Sequence, residues 1–369
     1  MIQLSNLRLD QEKKLRRNLP QPIPQGHDGS HDTVTVFYDC FRSEDGARVV
    51  FVGPPLNNFE TPCLGALRDA FEIEDKAHPI ARTSDRHSYV WLNSPRDSAE
   101  FAGNLFEQRR ISVQPNHSNL FRGRRVLVTL SKDNPLIWIR DWAHFFAKKH
   151  GCDAVLFYDN SSTAYGTGEI QEVIRSVSGI EVAIVIDWPF QFGMTGYSNF
   201  SEFGILEHAR RRFLASADVV INADIDELVV TCDGRSVCDL TQESRTGYLH
   251  YDGRWIENAT FLRDNSTRRH KDYIHFSKTE KAYLPKWTVV PNRCPENSDW
   301  RVHVIDGMEA DAIESKKVLY RHFKAMNTNW RMERWRSESP ADGDYLIDRE
   351  LSDWLQVYDE QLEQLSRTG

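Results

Sequence analysis

Ala217-Asp218-Val219-Val220-Ile221-Asn222-Ala223-Asp224-Ile225-Asp226-Glu227-Leu228-Val229-Val230 is the stretch whose reading decides the fold. An apolar, β-branched run is broken by three acids and then resumes. Carboxylates taken out of water between two buried segments need a cation or strong donors beside them. Two aspartates one residue apart at a strand's end can bring one side chain to a hard divalent cation, Mg2+ or Mn2+, and the other to a ribose or to metal-bound water. A turn or helix cap is the plainer alternative for the same residues. Asp342-Gly343-Asp344 repeats the spacing in a polar loop with no strand before it, and reads as a turn.

Upstream, the pattern alternates between two periods. Val126–Leu130 is an apolar strand. Pro135–His150 carries Trp138, Trp142, Phe145 and Phe146 on one face of a helix that Pro starts and Gly151 stops. Ala154–Tyr158 is a second strand, Thr167–Ser176 a short helix and Ile180–Ile186 a third strand. Ser201–Leu214 is a further helix, and Asp218–Asn222 the fourth strand. Such alternation implies right-handed βαβ units, a parallel sheet and a ligand crevice beyond the strands' carboxyl ends. Ser131-Lys132-Asp133, Asp159-Asn160 and Asp224–Glu227 fall at those ends and point at one crevice. After Gly247 the regularity falls, with strands expected over Gly247–Ile256, Lys286–Val290 and Arg301–Ile305. Leu351, Leu355, Tyr358, Leu362 and Leu365 then space one face of a C-terminal helix.

Before Arg124 the chain reads as β-rich. Thr33–Tyr38 and Ala47–Val52 alternate around the turn signal Ser43-Glu44-Asp45-Gly46, which predicts a hairpin. The organisation expected is therefore a polar arm over 1–32, a smaller β-rich domain over 33–120, an α/β domain with a mainly parallel, Rossmann-like sheet over 121–345, and a helix over 346–369. The 369 residues are 40% hydrophobic and 27% charged, ordinary for a globular protein. A formal charge of −8 argues against nucleic acid as a partner, although Arg and Lys cluster around Arg321–Arg336. No apolar run approaches the ~20 residues a membrane span needs. Met1–Gln25 lacks the apolar segment of a secretory signal. Six cysteines without a CxxC pair read as reduced thiols in a cytoplasmic protein.

Competing chemistries leave different marks. No GxGxxG follows any strand, no P-loop is present, and Ser131-Lys132-Asp133-Asn134 is not a Gly-rich phosphate loop. A haloacid-dehalogenase-like phosphatase, with Asp224 as nucleophile, stays open as an alternative, although Leu228 stands where Thr or Val would be expected. So does a non-catalytic glycan-binding protein using its ten tryptophans.

Several motifs in order carry a family resemblance. Lys132-Asp133-Asn134-Pro135-Leu136, Trp138, Gly151-Cys152-Asp153, Phe157-Tyr158-Asp159-Asn160-Ser161-Ser162, the helix from Glu207 to Phe213, and Asp224-Ile225-Asp226-Glu227 resemble elements of bacterial family 2 type glycosyltransferases and of glycosyltransferase family 92. Lys286-Trp287-Thr288-Val289-Val290-Pro291, Val302-His303 and Tyr320-Arg321-His322-Phe323 are similar to later elements. The resemblance implies a GT-A fold, a nucleotide-sugar donor (a UDP-sugar favoured), Mn2+ or Mg2+, and transfer to a glycan or glycolipid with inversion. It implies that Thr129, Lys132, Asp159, Asn160, Asp224 and Arg210 serve the nucleotide, and that Asp224, Asp226, His303 and His322 supply the metal or diphosphate site. Inversion asks for a general base; Asp299 and Glu257, in the region after the acidic motif, are the candidates. By analogy the expected setting is bacterial surface polysaccharide synthesis in the cytoplasm, with peripheral association at the inner membrane face left open.

Overall fold

A computed structural model describes residues 2–19, 31–74, 79–194, 198–260, 267–279, 282–310, 317–328, 339–340 and 345–358. The chain divides into two compact units: Met1–Leu120 with Trp188–Ser216, and Phe121–Asp187 with Ala217–Gly369.

The first unit is built on an antiparallel sheet. Its strands β1 (Asp39–Arg42), β2 (Arg48–Gly53), β3 (Ile80–Thr83) and β4 (Ser88–Asn93) lie in the order β1-β2-β4-β3. The expected hairpin turn is there, with Gly46 in the left-handed region at φ 73°, but the strand feeding it is Asp39–Arg42 rather than Thr33–Tyr38. From the latter run only Thr35–Phe37 is extended in a sheet, and it pairs with Leu7–Arg8. Asp39 can enter a strand because its buried carboxylate is fully engaged. Oδ2 accepts from His208 Nε2 at 2.9 Å and from Arg212 Nη1, and Oδ1 accepts the backbone N–H groups of Ser5 and Cys40 at 2.7 and 2.8 Å. A helix that the sequence pattern did not single out, α1 (Glu60–Ala70), buries Cys63 and Leu67. The helix Phe200–Ala209, continued by a π-helical turn over Arg210–Leu214, was expected as a crossover of the parallel sheet; it belongs instead to this first unit.

The second unit holds an eight-stranded mixed sheet. In chain order its elements are β5 (Arg125–Ser131), α2 (Leu136–His150), β6 (Ala154–Asp159), α3 (Thr167–Arg175), β7 (Val182–Asp187), β8 (Val219–Asn222), β9 (Glu227–Thr231), α4 (Val237–Glu243), β10 (Tyr248–Ile256), β11 (Tyr283–Val289), β12 (Val318–Phe323) and α5 (Arg349–Leu355). The sheet order is β7-β6-β5-β8-β11-β10-β12-β9. The strands from β7 to β8 are parallel, β11 runs against both its neighbours, β10 and β12 are parallel, and β9 closes the edge antiparallel to β12. This is the α/β class expected, with the parallel strands confined to one half of the sheet and to the β10–β12 pair. Val126, Leu127, Val128, Val155, Leu156 and Phe157 are all buried, which is why β5 and β6 read as unbroken apolar runs rather than alternating ones. Arg301–Ile305 is not a strand; it joins the short antiparallel pair Asp299–Trp300 and Ile305–Asp306. Of the C-terminal helix, Arg349–Leu355 is helical, while Leu362, Leu365 and the Asp342–Asp344 loop lie outside the described residues. Among the described residues no helix is long and apolar enough to cross a membrane.

The helix α2 packs Trp138, Ile139, Trp142, Phe145 and Phe146 against the sheet, each burial being worth roughly 1.5–3 kcal/mol. Its last residue, His150, is fully buried. Nδ1 accepts the Val237 N–H at 3.0 Å, so Nε2 carries the proton and donates it to the Val229 carbonyl at 2.9 Å. That bonding requires a neutral ring, and burial lowers the pKa from 6.5 to about 4. His208 and His270 are lowered by burial as well. A depressed folded-state pKa means that the unfolded chain binds the extra proton first as pH falls. The stability tied to neutral His150, about 3 kcal/mol, is present above pH 6.5 and lost on descending from 6.5 to about 4. Chemical denaturation at pH 7.5 and at pH 4.5 should show a marked loss at the lower value; equal stability at both would contradict a neutral, buried His150.

Candidate active site

The three acids of the opening stretch occupy a tight turn between β8 and β9. The Glu227 N–H bonds the Asp224 carbonyl at 3.0 Å, and the Glu227 side chain returns through Oε2 to accept the Asp224 N–H at 2.9 Å. Ile225 points into the core, and its carbonyl accepts from His270 Nε2 at 2.8 Å. The sheet order then brings distant residues to this turn. Lys286 comes from β11, and His322 of β12 lies opposite Glu227 on β9 and Trp255 on β10.

Lys286 is the residue the sequence reading missed as a site group. Its ammonium is buried, 3.0 Å from Asp224 Oδ2 and 3.0 Å from Glu227 Oε2. Burial works against the charged ammonium, but the two carboxylates outweigh it and hold its pKa above the ordinary value. Burial pushes the Glu227 carboxyl up while Lys286 pulls it back; the ammonium and the Asp224 N–H both aimed at Oε2 are the partners of a carboxylate. A lysine inside an otherwise apolar strand, next to Trp287, was the available signal, since such a residue needs a buried acid.

On the other side of the turn, His322 Nε2 lies 3.1 Å from Asp226 Oδ2, and its Nδ1 faces Glu227 Oε1 at 4.0 Å. Nδ1 is buried and has no hydrogen-bond partner among the described residues. Asp226, Glu227 and His322 can each turn a ligand atom to a common point, these atoms lying within 4.8 Å of one another. Carboxylate oxygens suit Mg2+ or Mn2+, an imidazole beside them favours Mn2+, and a buried ring nitrogen without a hydrogen-bond partner among the described residues fits a cation ligand. Trp255 stacks on the imidazole with ring centroids 4.1 Å apart, and Tyr283 meets it edge-on at 5.1 Å.

The remaining candidates are distributed as follows. Asp224 is the Lys286 partner and stands outside the converging group. His303 also stands outside it; its Nδ1 lies 2.9 Å from the Pro285 carbonyl. Asp159 ends β6 beside Ser131 of β5; burial raises its pKa, against hydrogen bonds from the Ser162 hydroxyl and N–H. The Asn160 N–H bonds the Ser131 carbonyl at 2.8 Å. The loops after β5 and β6 are locked together by Asp133, held at φ 52°: its N–H bonds Ser162 Oγ and its carboxylate accepts the N–H groups of Thr163 and Ala164. Lys132 precedes it, and its carbonyl accepts from the Thr328 hydroxyl at 3.5 Å. Thr129 is buried in β5, its hydroxyl without a hydrogen-bond partner among the described residues. Asp299 pairs with Arg301 at 3.1 Å, and Glu257 with Lys324 at 2.9 Å. Arg210 belongs to the first unit, where it pairs with Glu207 at 3.5 Å.

No family model and no curated protein matches the chain. Solved structures with a partial likeness to it include an active-site mutant of LgtC, the galactosyltransferase LgtC in complex with donor and acceptor sugar analogues, and WbbM, a bifunctional glycosyltransferase in its apo form. Identities are 16%, 15% and 10%, and the TM-score is 0.25 in each case. The likeness covers 46%, 46% and 45% of this chain and 58%, 58% and 26% of theirs, so the chain spans less than two thirds of each neighbour's length. A likeness of that size fixes no activity.

The strand that carries His322 is itself anchored by charge. Arg321 is fully buried and forks onto Asp348, Nε to Oδ2 at 2.8 Å and Nη2 to Oδ1 at 3.1 Å, with Glu350 at 2.8 Å from Nη2. Replacing Arg321 by Met leaves Asp348 buried with the more exposed Arg254 as its ion-pair partner. Denaturant unfolding should show a loss of roughly 3–5 kcal/mol; a loss below 1 kcal/mol would show that the fork does not anchor β12.

Proposed function

We propose that the second unit is a nucleotide-sugar-dependent glycosyltransferase requiring a divalent cation. The observation that carries this reading is the convergence of Asp226, Glu227 and His322 on one point, with the buried Nδ1 of His322 left open toward Glu227. The turn bearing Asp226 and Glu227 follows β8, the last strand of the parallel run, and open α/β sheets bind ligands beyond such carboxyl ends. The ordered motifs that resemble family 2 type and family 92 glycosyltransferases support the same reading.

Asp226, Glu227 and His322 would hold Mn2+ or Mg2+, which supplies charge to offset a departing nucleoside diphosphate. The chain's own residues do the rest. Asp159 and Asn160, at the end of β6, with Thr129 and Lys132 on and after β5, would receive the base and ribose of the donor, a UDP-sugar favoured. Asp224, paired with Lys286 at 3.0 Å, would accept a ribose hydroxyl. In an inverting transfer the acceptor hydroxyl gives its proton to a carboxylate as it attacks the anomeric carbon; Glu257 and Asp299 are the groups to test, and each must first part from its basic partner. A glycan or glycolipid acceptor, and work in surface polysaccharide assembly, belong to the same proposal.

Calorimetric titration of UDP and of GDP, with and without Mn2+, tests it. One nucleotide should bind in a Mn2+-dependent way. Asp226→Ala should weaken that binding by about 100-fold or more, because even partners one step removed from a metal are worth roughly 10- to 100-fold. Absence of binding by either nucleotide under any metal condition would overturn the proposal.

A further inference from the structure

The two oxygens of Glu227 have separate duties. Oε2 faces Lys286 Nζ at 3.0 Å and accepts the Asp224 N–H, whereas Oε1 faces His322 Nδ1 at 4.0 Å. Asp224 Oδ2 is likewise turned to the ammonium, at 3.0 Å. Thus the cluster has two sides, one built around the lysine's ammonium and the other from Asp226, Glu227 Oε1 and His322. Lys286 sets one positive charge against Asp224 and Glu227, while Asp226, bonded to His322, adds a third carboxylate to the same turn. Without the lysine those acids lose a positive charge 3.0 Å away, and a divalent cation beside them is attracted more strongly.

We propose that Lys286 occupies the place of a second cation, so that the site takes one divalent ion, and that its fixed charge sets how tightly that ion is held. Lys286 is in this sense a positioning residue: it lies 3.0 Å from the acids and acts through them. The inference rests on the reading of Asp226, Glu227 and His322 as a cation site. Charge, rather than shape, is what it says matters, and charge can be restored by a second substitution. Lys286→Met removes one positive charge, Asp224→Asn removes one negative charge from a residue outside the converging ligands, and the double variant returns the wild-type balance.

The test is a Mn2+ titration of the full chain without nucleotide, read by the electron paramagnetic resonance of free Mn2+, for the wild type and the three variants. The wild type should bind one ion. Lys286→Met should bind Mn2+ about tenfold or more tighter, or take up a second ion, Asp224→Asn should bind it more weakly, and the double variant should return to within about threefold of the wild type. Two ions in the wild-type cluster, or a folded Lys286→Met with unchanged or weaker affinity, would overturn the inference while leaving the cation site standing. If Lys286→Met fails to fold, Asp224→Asn and the double variant decide: equal affinity in Asp224→Asn and the wild type overturns it. A wild type that takes up no Mn2+ refutes the cation site itself.

Discussion

Within four residues after β8 the chain places Asp224, Asp226 and Glu227, and Glu227 is almost wholly out of water. Burying a carboxylate costs several kcal/mol unless charge and hydrogen bonds are supplied where it lies. Much of the second unit's antiparallel half answers that demand. The strand β11 is set against β8 and delivers Lys286; β12 is set against β9 and delivers His322; β10 lies between them and stacks Trp255 on the imidazole. The parallel half, from β7 to β8, needs no such arrangement, because its strands bury apolar side chains almost throughout.

The same logic appears in the first unit with different groups. Asp39, His208 and Arg212 are all wholly buried, the latter two both bonding the Asp39 carboxylate, and Phe41, Trp188 and Phe213 surround the imidazole. This cluster ties the segment Trp188–Ser216 to β1, although some 150 residues separate them in sequence. The carboxylate at its centre is satisfied through both its oxygens.

What could be read from the sequence follows from the range of the forces involved. The strands β5, β6, β7 and β8 and the helix α2 were legible within two or three residues, because continuous apolar runs and a helical period are local properties. The acidic turn was legible because acids inside an apolar run are locally anomalous. The hairpin strand was misplaced because Thr33–Tyr38 alternates as well as any strand does, and nothing near Asp39 discloses that its partners are His208 and Arg212. Lys286 escaped for the same reason: its partners lie about 60 residues away, and the antiparallel insertion of β11 next to β8 cannot be inferred from either strand alone. His322 was singled out by resemblance, yet its convergence with Glu227 rather than with Asp224 depends on the β9–β12 register.

The most direct test of the account is a crystal structure of the protein soaked with Mn2+ and UDP, with anomalous diffraction used to place the metal. The account predicts one anomalous peak bounded by Asp226, Glu227 and His322, with Lys286 still bridging Asp224 and Glu227. A peak elsewhere, or a metal bound at Asp224 in place of the Lys286 ammonium, would contradict it.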